Sequence, residues 1–318
     1  MRTVVIGACG HIGTYLVPRL VLTGHEVVAV SRGTREPYFK TDLWKNVESV
    51  FLDREKEEKE GTFGKKILAL KPDIVIDLIS FETESTIQLV EALRGQIQHY
   101  LYCSSIWAHG AASVVPAPED LPRYPICDYG RKKAKTEEYL HEQYRMNGFP
   151  ETVFMPGHIT GPGWDFINPS GNKDVEVWGK VVRGEEILIP NFGMETVHHV
   201  HADDVAQLIM NCIIYRNAAL GESFHAVAPH AMTLRGFAEN MFRWFGHEPN
   251  FKLLPWEEWC KQVGNQEYIN STESHLLHSD NYSIEKGRRL INYNPRYTIV
   301  QACCEGLDWM LRNGWIHA

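Results

Sequence analysis

The sequence predicts an α/β protein: a doubly wound parallel sheet with helices over both faces, followed by a smaller C-terminal domain for substrate. Three observations carry this prediction. Short β-branched and aromatic runs alternate with stretches of helical period through the first half of the chain, the pattern of repeated βαβ units. The first run leads directly into glycine at every third place, Gly7, Gly10 and Gly13. Candidate functional positions then fall just beyond strand ends: Gly7, Arg32, Asp53, Ser80, Ser105 and His158. Ligands of open parallel sheets sit outside the carboxyl ends of the strands, so the fold would gather these positions along one edge.

Each element has its own reason. Arg2–Ile6 is rich in β-branched residues and reads as a strand. Thr14–Thr23 carries Leu16, Leu20 and Val21 on one helical face. Glu26–Val30, Val47–Leu52, Asp73–Asp77, His99–Cys103 and Glu151–Met155 are the following strands. Arg54–Gly61 is a charge run, read as a solvated surface segment. Residues 82–94 place Ile87, Leu89, Val90 and Leu93 at helical spacing, and a loop rich in proline precedes a helix from about Asp128 to Met146. Gly, Pro, Asn and Trp crowd residues 161–172, as expected of a loop facing substrate. Helices are expected at Ala202–Arg216 with Asp203 as cap, at Leu234–Phe245 with Thr233 as cap, and at about Val300–Asn313. The expected division is residues 1–157 and 158–318, with some later segments returning to the first unit.

A strand, a glycine turn and a helix in that order suit a dinucleotide in a Rossmann-type domain. Glycine permits the tight turn and lets backbone N–H groups approach the pyrophosphate, while the helix N-terminus adds partial positive charge. The expected cofactor contacts are Gly7, Cys9, Gly10, His11, Ile12 and Gly13, then Ser31, Arg32, Asp53 and Ser80. An acidic residue at the end of the second strand would bind the ribose 2′-hydroxyl of NAD; here Ser31 and Arg32 stand there, with Arg35 close by. Arginine pairs with a 2′-phosphate, so NADP is the expected cofactor and NAD the alternative. Asp53 would accept from the adenine amino group or cap its loop.

Chemistry is expected at Ser105, Tyr129 and Lys133. Tyrosine and lysine four residues apart share a helix face. A neighbouring ammonium favours the phenolate, so the tyrosine could take a proton from a hydroxyl or give one to a carbonyl. Ser105 would hold the same substrate oxygen. Tyr282 and Lys286 repeat the spacing but have no serine at a strand end before them, and are set aside.

Bulk properties narrow the partners. A formal net charge of −8 argues against nucleic acid, which needs clustered cations. No apolar run approaches the ~20 residues of a membrane span. Seven cysteines without a C-x-x-C pair, and no visible signal peptide, are read as reduced thiols in a cytoplasmic protein. His198, His199 and His201 beside Asp203 and Asp204 could suggest a metal, but 198 and 199 would point to opposite faces of a strand, and no metal is expected.

The ordered motifs resemble the extended short-chain dehydrogenases/reductases, in the NAD(P)-dependent epimerase/dehydratase branch. They are Gly7-x-x-Gly10-x-x-Gly13, Ser105 before Gly110, Tyr129-x-x-x-Lys133, Pro156 to Gly161-Pro162, His201-Ala-Asp-Asp204-Val-Ala, and Ser283 to Pro295. The resemblance implies Tyr129 as acid/base with Ser105, Lys133 on the nicotinamide ribose, Pro156 beside the cofactor, and a homodimer paired through residues 82–94 and 128–146. Three stretches depart from it. Trp107-Ala-His109-Gly replaces Val-Tyr-Gly, and His158 replaces an asparagine. Glu195-Thr-Val-His-His199 stands where nucleotide-sugar enzymes often place an arginine for the diphosphate, a role Arg288 could take instead. His109, His158 and Trp164 are the expected substrate contacts.

The expected function is oxidation, reduction or epimerisation at a hydroxyl or carbonyl carbon of a sugar or sugar-nucleotide-like substrate. Dehydration fits less well, because Ile106 and Trp107 follow Ser105 with no carboxylate. The alternative is a non-catalytic, NADP-sensing or RNA-associated member of the same fold.

Overall fold

The computed structural model describes residues 1–317. In the first half, strand and helix alternate as β1 (Arg2–Ile6), α1 (His11–Leu22), β2 (Glu26–Ser31), β3 (Glu48–Phe51), α2 (Arg54–Lys59), α3 (Phe63–Ala69), β4 (Ile74–Asp77), α4 (Thr83–Leu93), β5 (His99–Cys103), α5 (Asp128–Asn147) and β6 (Glu151–Pro156). The second half adds β7 (His158–Thr160), α6 (Val175–Arg183), β8 (Ile187–Pro190), β9 (Thr196–Val197), β10 (His199–His201), α7 (Ala202–Ile214), α8 (Arg216–Ala219) and β11 (Ser223–Ala226). It closes with β12 (Met232–Thr233), α9 (Leu234–Trp244), β13 (Phe251–Leu254), α10 (Trp256–Val263), α11 (Gln266–Leu277), α12 (Glu285–Ile291) and α13 (Ile299–Arg312).

One seven-stranded sheet runs in the order β11-β6-β5-β4-β1-β2-β3, and every pairing in it is parallel. The order reverses beside β1, between β2 and β4, where a parallel sheet opens a crevice for ligand. Val4, Val5, Val28, Val75, Ile76, Leu101 and Phe154 are fully buried along the strands, as a sheet covered on both faces requires. α5 ends on Gly148 in the left-handed region (φ 65°), and Thr298 opens α13 with a capping box closed by Gln301.

Two apolar clusters organise the interior. The first joins the sheet and its helices to Val200, the buried face of α7, Phe224–Val227 and Tyr282–Tyr293. The second is formed by Phe166, Trp178, Ile187, Phe237, Met241 and the inner face of α13. The chain therefore returns twice to the first cluster after leaving it.

Several sequence expectations change. Arg54–Gly61 is not simply solvated: Arg54 and Glu57 are buried, because the Arg54 guanidinium reaches Asp77 at the end of β4 (2.7 Å). Asp203 does not cap α7. His201 does, accepting from the Asp203 N–H at 3.0 Å, while the Asp203 carboxylate binds Arg19 and Arg296. Thr233 caps α9 as expected, accepting from the Gly236 N–H. Residues 161–172 are packed rather than open: Asn168, Ser170 and Asn172 are buried and hydrogen-bond to Asp174, Leu188 and Thr272. Exposed Lys132–Glu82 and Lys135–Glu84 ion pairs link α5 to the start of α4. Among the described residues no helix is long and apolar enough to cross a membrane.

Candidate active site

The glycine turn behaves as its spacing requires. Gly7 has φ +86°, and a Cβ there would lie 2.7 Å from Ile79 Cγ2. At Gly13 a Cβ would fall 2.0 Å from the Ala8 carbonyl oxygen, so this glycine lets α1 pack onto the turn. At Gly10 a Cβ would meet only the Gly7 carbonyl, at 3.2 Å. Gly10 thus leaves room at the mouth of α1, where unpaired N–H groups and the helix dipole favour a phosphate. Cys9 lies beside Ser31, and burial raises its thiol pKa.

Beyond the strand ends a cleft of about 680 Å³ is lined by Ile6, Val30, Ser31, Arg32, Asp53 and Phe81, among others. Asp53 is already used as the N-cap of α2, with one oxygen accepting from the Lys56 N–H at 3.2 Å. The cleft has a firm floor, since Asp77 accepts from both Arg54 and the Tyr100 hydroxyl (2.7 and 3.0 Å). Ser80 turns its hydroxyl inward to Thr86, leaving its carbonyl towards Lys133. Pro156 is buried as the last residue of β6.

Lys133 is 2% exposed, and its ammonium donates to the Ser80 and Cys103 carbonyls, 2.7 Å each. Two of its three N–H bonds are spent and one remains for a ligand hydroxyl. Burial lowers its pKa. One turn earlier, Tyr129 stands beside Ser105, which acts to lower its pKa, and Lys133 Nζ lies 5.6 Å from its ring centroid. Ser105 also accepts from the Trp107 N–H at 3.2 Å. The expected lowering of the Tyr129 pKa is absent: the side chain as a whole is exposed, but desolvation around its hydroxyl raises the pKa, with Ser105 offsetting part. The resting side chain is therefore a protonated phenol.

Behind these residues runs a chain of polar contacts that spacing did not reveal. Glu137, one turn after Lys133, holds Ser104 and Arg123. Arg123 donates to His109 Nδ1 at 3.1 Å; arginine cannot accept, so the proton of His109 sits on Nε2. That N–H donates to His225 Nε2 (2.8 Å), and His225 in turn donates from Nδ1 to the Ser283 carbonyl (2.9 Å). Both nitrogens of His109 are thus committed inside the protein. Rather than meeting substrate, His109 ties Arg123, and through it α5, to the C-terminal segment.

His158 and Trp164 are placed apart. Trp164 stacks on His11 (5.2 Å, 17°), over the glycine turn, with Lys173 5.4 Å from its ring. Burial lowers the His11 pKa to about 3, and neither ring nitrogen has a partner. His158 lies opposite His199 in the β7–β10 pair and near His275 (5.0 Å) and Trp107 (6.4 Å). Trp107 joins this cluster to Tyr129 (6.2 Å). His198 bonds the Ala228 carbonyl and the Tyr282 N–H, His199 the Ile167 carbonyl, and His201 caps α7, so these three serve separate structural tasks.

The model of the NAD dependent epimerase/dehydratase family matches residues 3–224. The chain belongs to this family. A 2′-dehydrokanamycin reductase of Streptomyces kanamyceticus is 24% identical over 272 residues, covering 86% of this chain and 74% of its own. The chloroplast stem-loop binding protein of 41 kDa b from Arabidopsis thaliana is 23% identical, covering 96% and 78%. Among solved structures, a UDP-glucose 4-epimerase of Thermotoga maritima superposes with TM-score 0.73 at 20% identity over 98% of this chain and 99% of its own. A UDP-glucuronic acid 4-epimerase from Bacillus cereus superposes with TM-score 0.74 at 17% identity, over 98% and 99%. This family membership makes the protein an NAD(P)-dependent epimerase or reductase.

Proposed function

We propose that the protein is an NADP-linked oxidoreductase or epimerase acting at a hydroxyl-bearing or carbonyl carbon of a carbohydrate-like substrate, with Ser105, Tyr129 and Lys133 as its catalytic residues. The observation that carries this reading is the convergence of a hydroxyl pair and a buried ammonium at the ends of β4 and β5, on the same edge as the glycine turn. The room at Gly10 fits a dinucleotide phosphate, and Arg32 beyond β2 suits a 2′-phosphate.

Each residue has a separate task. When bound, the nicotinamide supplies or accepts the hydride at the substrate carbon. Lys133, anchored by two carbonyls, offers its remaining N–H to a ribose hydroxyl and places positive charge near Tyr129. The protonated phenol of Tyr129 donates to a carbonyl oxygen as that oxygen gains charge, and accepts the proton back in the oxidative direction. Ser105 holds the same oxygen. The test follows reduced-nicotinamide absorbance with a panel of aldoses, ketoses and their nucleotide conjugates. Turnover that disappears in Ser105→Ala supports the assignment; full turnover without the Ser105 hydroxyl removes it. The RNA-associated alternative has less support, because the triad is intact and the net charge is −8.

A further inference from the structure

Tyr129, Lys133 and Glu137 follow one another at intervals of four residues on α5, so they share one face in successive turns. That face grips the end of β5 residue by residue. Tyr129 lies beside Ser105. Lys133 donates to the Cys103 carbonyl at 2.7 Å. Between those two positions, the Ser104 hydroxyl donates to Glu137 Oε1. Lys133, Ser104 and Glu137 are all buried.

The proposed chemistry uses the first two of these contacts and leaves Glu137 without a task. Its carboxylate is nevertheless fixed through both oxygens. Oε2 accepts from Arg123 Nε at 3.0 Å. Arg123 is held in turn, because its Nη1 donates to the Glu119 and Leu121 carbonyls at 2.9 and 2.7 Å. A buried ion pair often adds no stability over apolar packing of the same volume. What it does fix is the place of a charge.

That charge stands one turn from an ammonium that makes no ion pair of its own. Lys133 donates to two neutral carbonyls, of Ser80 and Cys103. The titratable and charged groups around it are the Cys103 thiol and Tyr102 on β5, Asp77 on β4, Arg54 on α2, and Tyr129 and Glu137 on its own helix. Burial pushes the Cys103 thiol up to about 11, so it is uncharged at neutral pH. Asp77 is bound by Arg54 at 2.7 Å, and Arg54 itself disfavours the charged lysine. Burial lowers the Lys133 pKa, and Asp77 and Glu137 oppose that change.

We infer that Glu137 is a positioning residue for Lys133 and Ser105: it sets the register of α5 against the end of β5 through Ser104 and gives the Lys133 ammonium a buried counter-charge. The inference rests on the proposed function for the task of Lys133. Its geometry does not depend on that reading.

The experiment needs no substrate. The Lys133 Nζ signal of the full-length, ¹⁵N-lysine-labelled protein is assigned by its loss in Lys133→Met and titrated by NMR from about pH 7 upward. NADPH affinity is read by fluorescence over the same range, with melting temperatures alongside. Glu137→Gln keeps an acceptor for Ser104 and removes the charge, so Lys133 should lose its proton about one pH unit lower than in wild type. NADPH affinity should begin to fall at correspondingly lower pH, as the ribose loses its charged donor. Ser104→Ala removes the hydroxyl and no charge. It should leave the Lys133 titration in place and weaken NADPH about threefold at neutral pH. A purely structural Glu137 would move the melting temperature and leave the Lys133 titration of a folded Glu137→Gln protein where it was, which overturns the inference. If Glu137→Gln does not fold, Ser104→Ala decides, and wild-type NADPH affinity there overturns it equally. Failure of the proposed chemistry shows elsewhere, as turnover that survives Ser105→Ala, and leaves these titrations unchanged.

Discussion

Gly10→Ala separates a phosphate cradle from a merely structural turn. The position has φ −81°, which alanine adopts freely, and its Cβ would touch only the Gly7 carbonyl at 3.2 Å. Losing glycine as N-cap costs up to about 1 kcal/mol, and reduced freedom of the unfolded chain returns about 0.4–1 kcal/mol. Stability should therefore stay within about 1 kcal/mol of wild type, a few degrees of melting temperature at most. The methyl group instead projects about 1.5 Å into the space a phosphate needs. Losing one charge-assisted backbone hydrogen bond, about 1.5–3 kcal/mol, weakens NADPH about ten- to hundredfold. Gly13→Ala is the contrast: its Cβ would collide with the Ala8 carbonyl at 2.0 Å, so the fold itself should lose about 1–3 kcal/mol or more. Fluorescence titration with NADPH and thermal melts of both variants read the two effects. Wild-type affinity in a folded Gly10→Ala protein would refute the cradle.

Other consequences follow from the same structure. Burial depresses His99 and His225 to about 3, His198 to about 4 and His109 to about 2, so each takes up its proton more readily when the chain unfolds. With folded pKa values below the unfolded one, the stability they support is present above pH ~6.5 and is lost as pH falls towards 3, at about 1.4 kcal/mol per histidine per pH unit. Urea midpoints should drop steeply between pH 7 and 5; equal midpoints would contradict the buried neutral rings. Arg54→Met leaves the Asp77 carboxylate buried with Tyr100 as its remaining side-chain donor and should cost about 3–5 kcal/mol in urea unfolding, whereas a solvated Arg54 would cost almost nothing. Arg32→Ser should raise the NADPH dissociation constant about tenfold and leave NADH unchanged; equal effects on both would remove the 2′-phosphate role.

What was legible in the sequence is what depends on neighbours in the chain. Gly7, Gly10 and Gly13 declare a turn because only backbone geometry explains them, and Tyr129 and Lys133 share a helix face through local spacing. The strands before β6 were readable from β-branched runs. β11 was not, being four residues with no distinguishing period, although it completes the sheet beside β6. Contacts between distant segments were hidden. The burial of Arg54 depends on Asp77, and the fate of His109 depends on His225, 116 residues away. Trp107 was visible only as a departure from a motif. Tyr129 shows the other limit. Its partner could be guessed, but desolvation around its hydroxyl, which sets the direction of its pKa, belongs to the folded chain.

The central claim is that Tyr129 moves the proton. Single-turnover rates of wild type and Tyr129→Phe, with NADPH affinity and melting temperature measured alongside, test it most directly. A loss of about 10²–10⁴ in rate at unchanged cofactor affinity is the expected result. A Tyr129→Phe protein that turns over at the wild-type rate would contradict it.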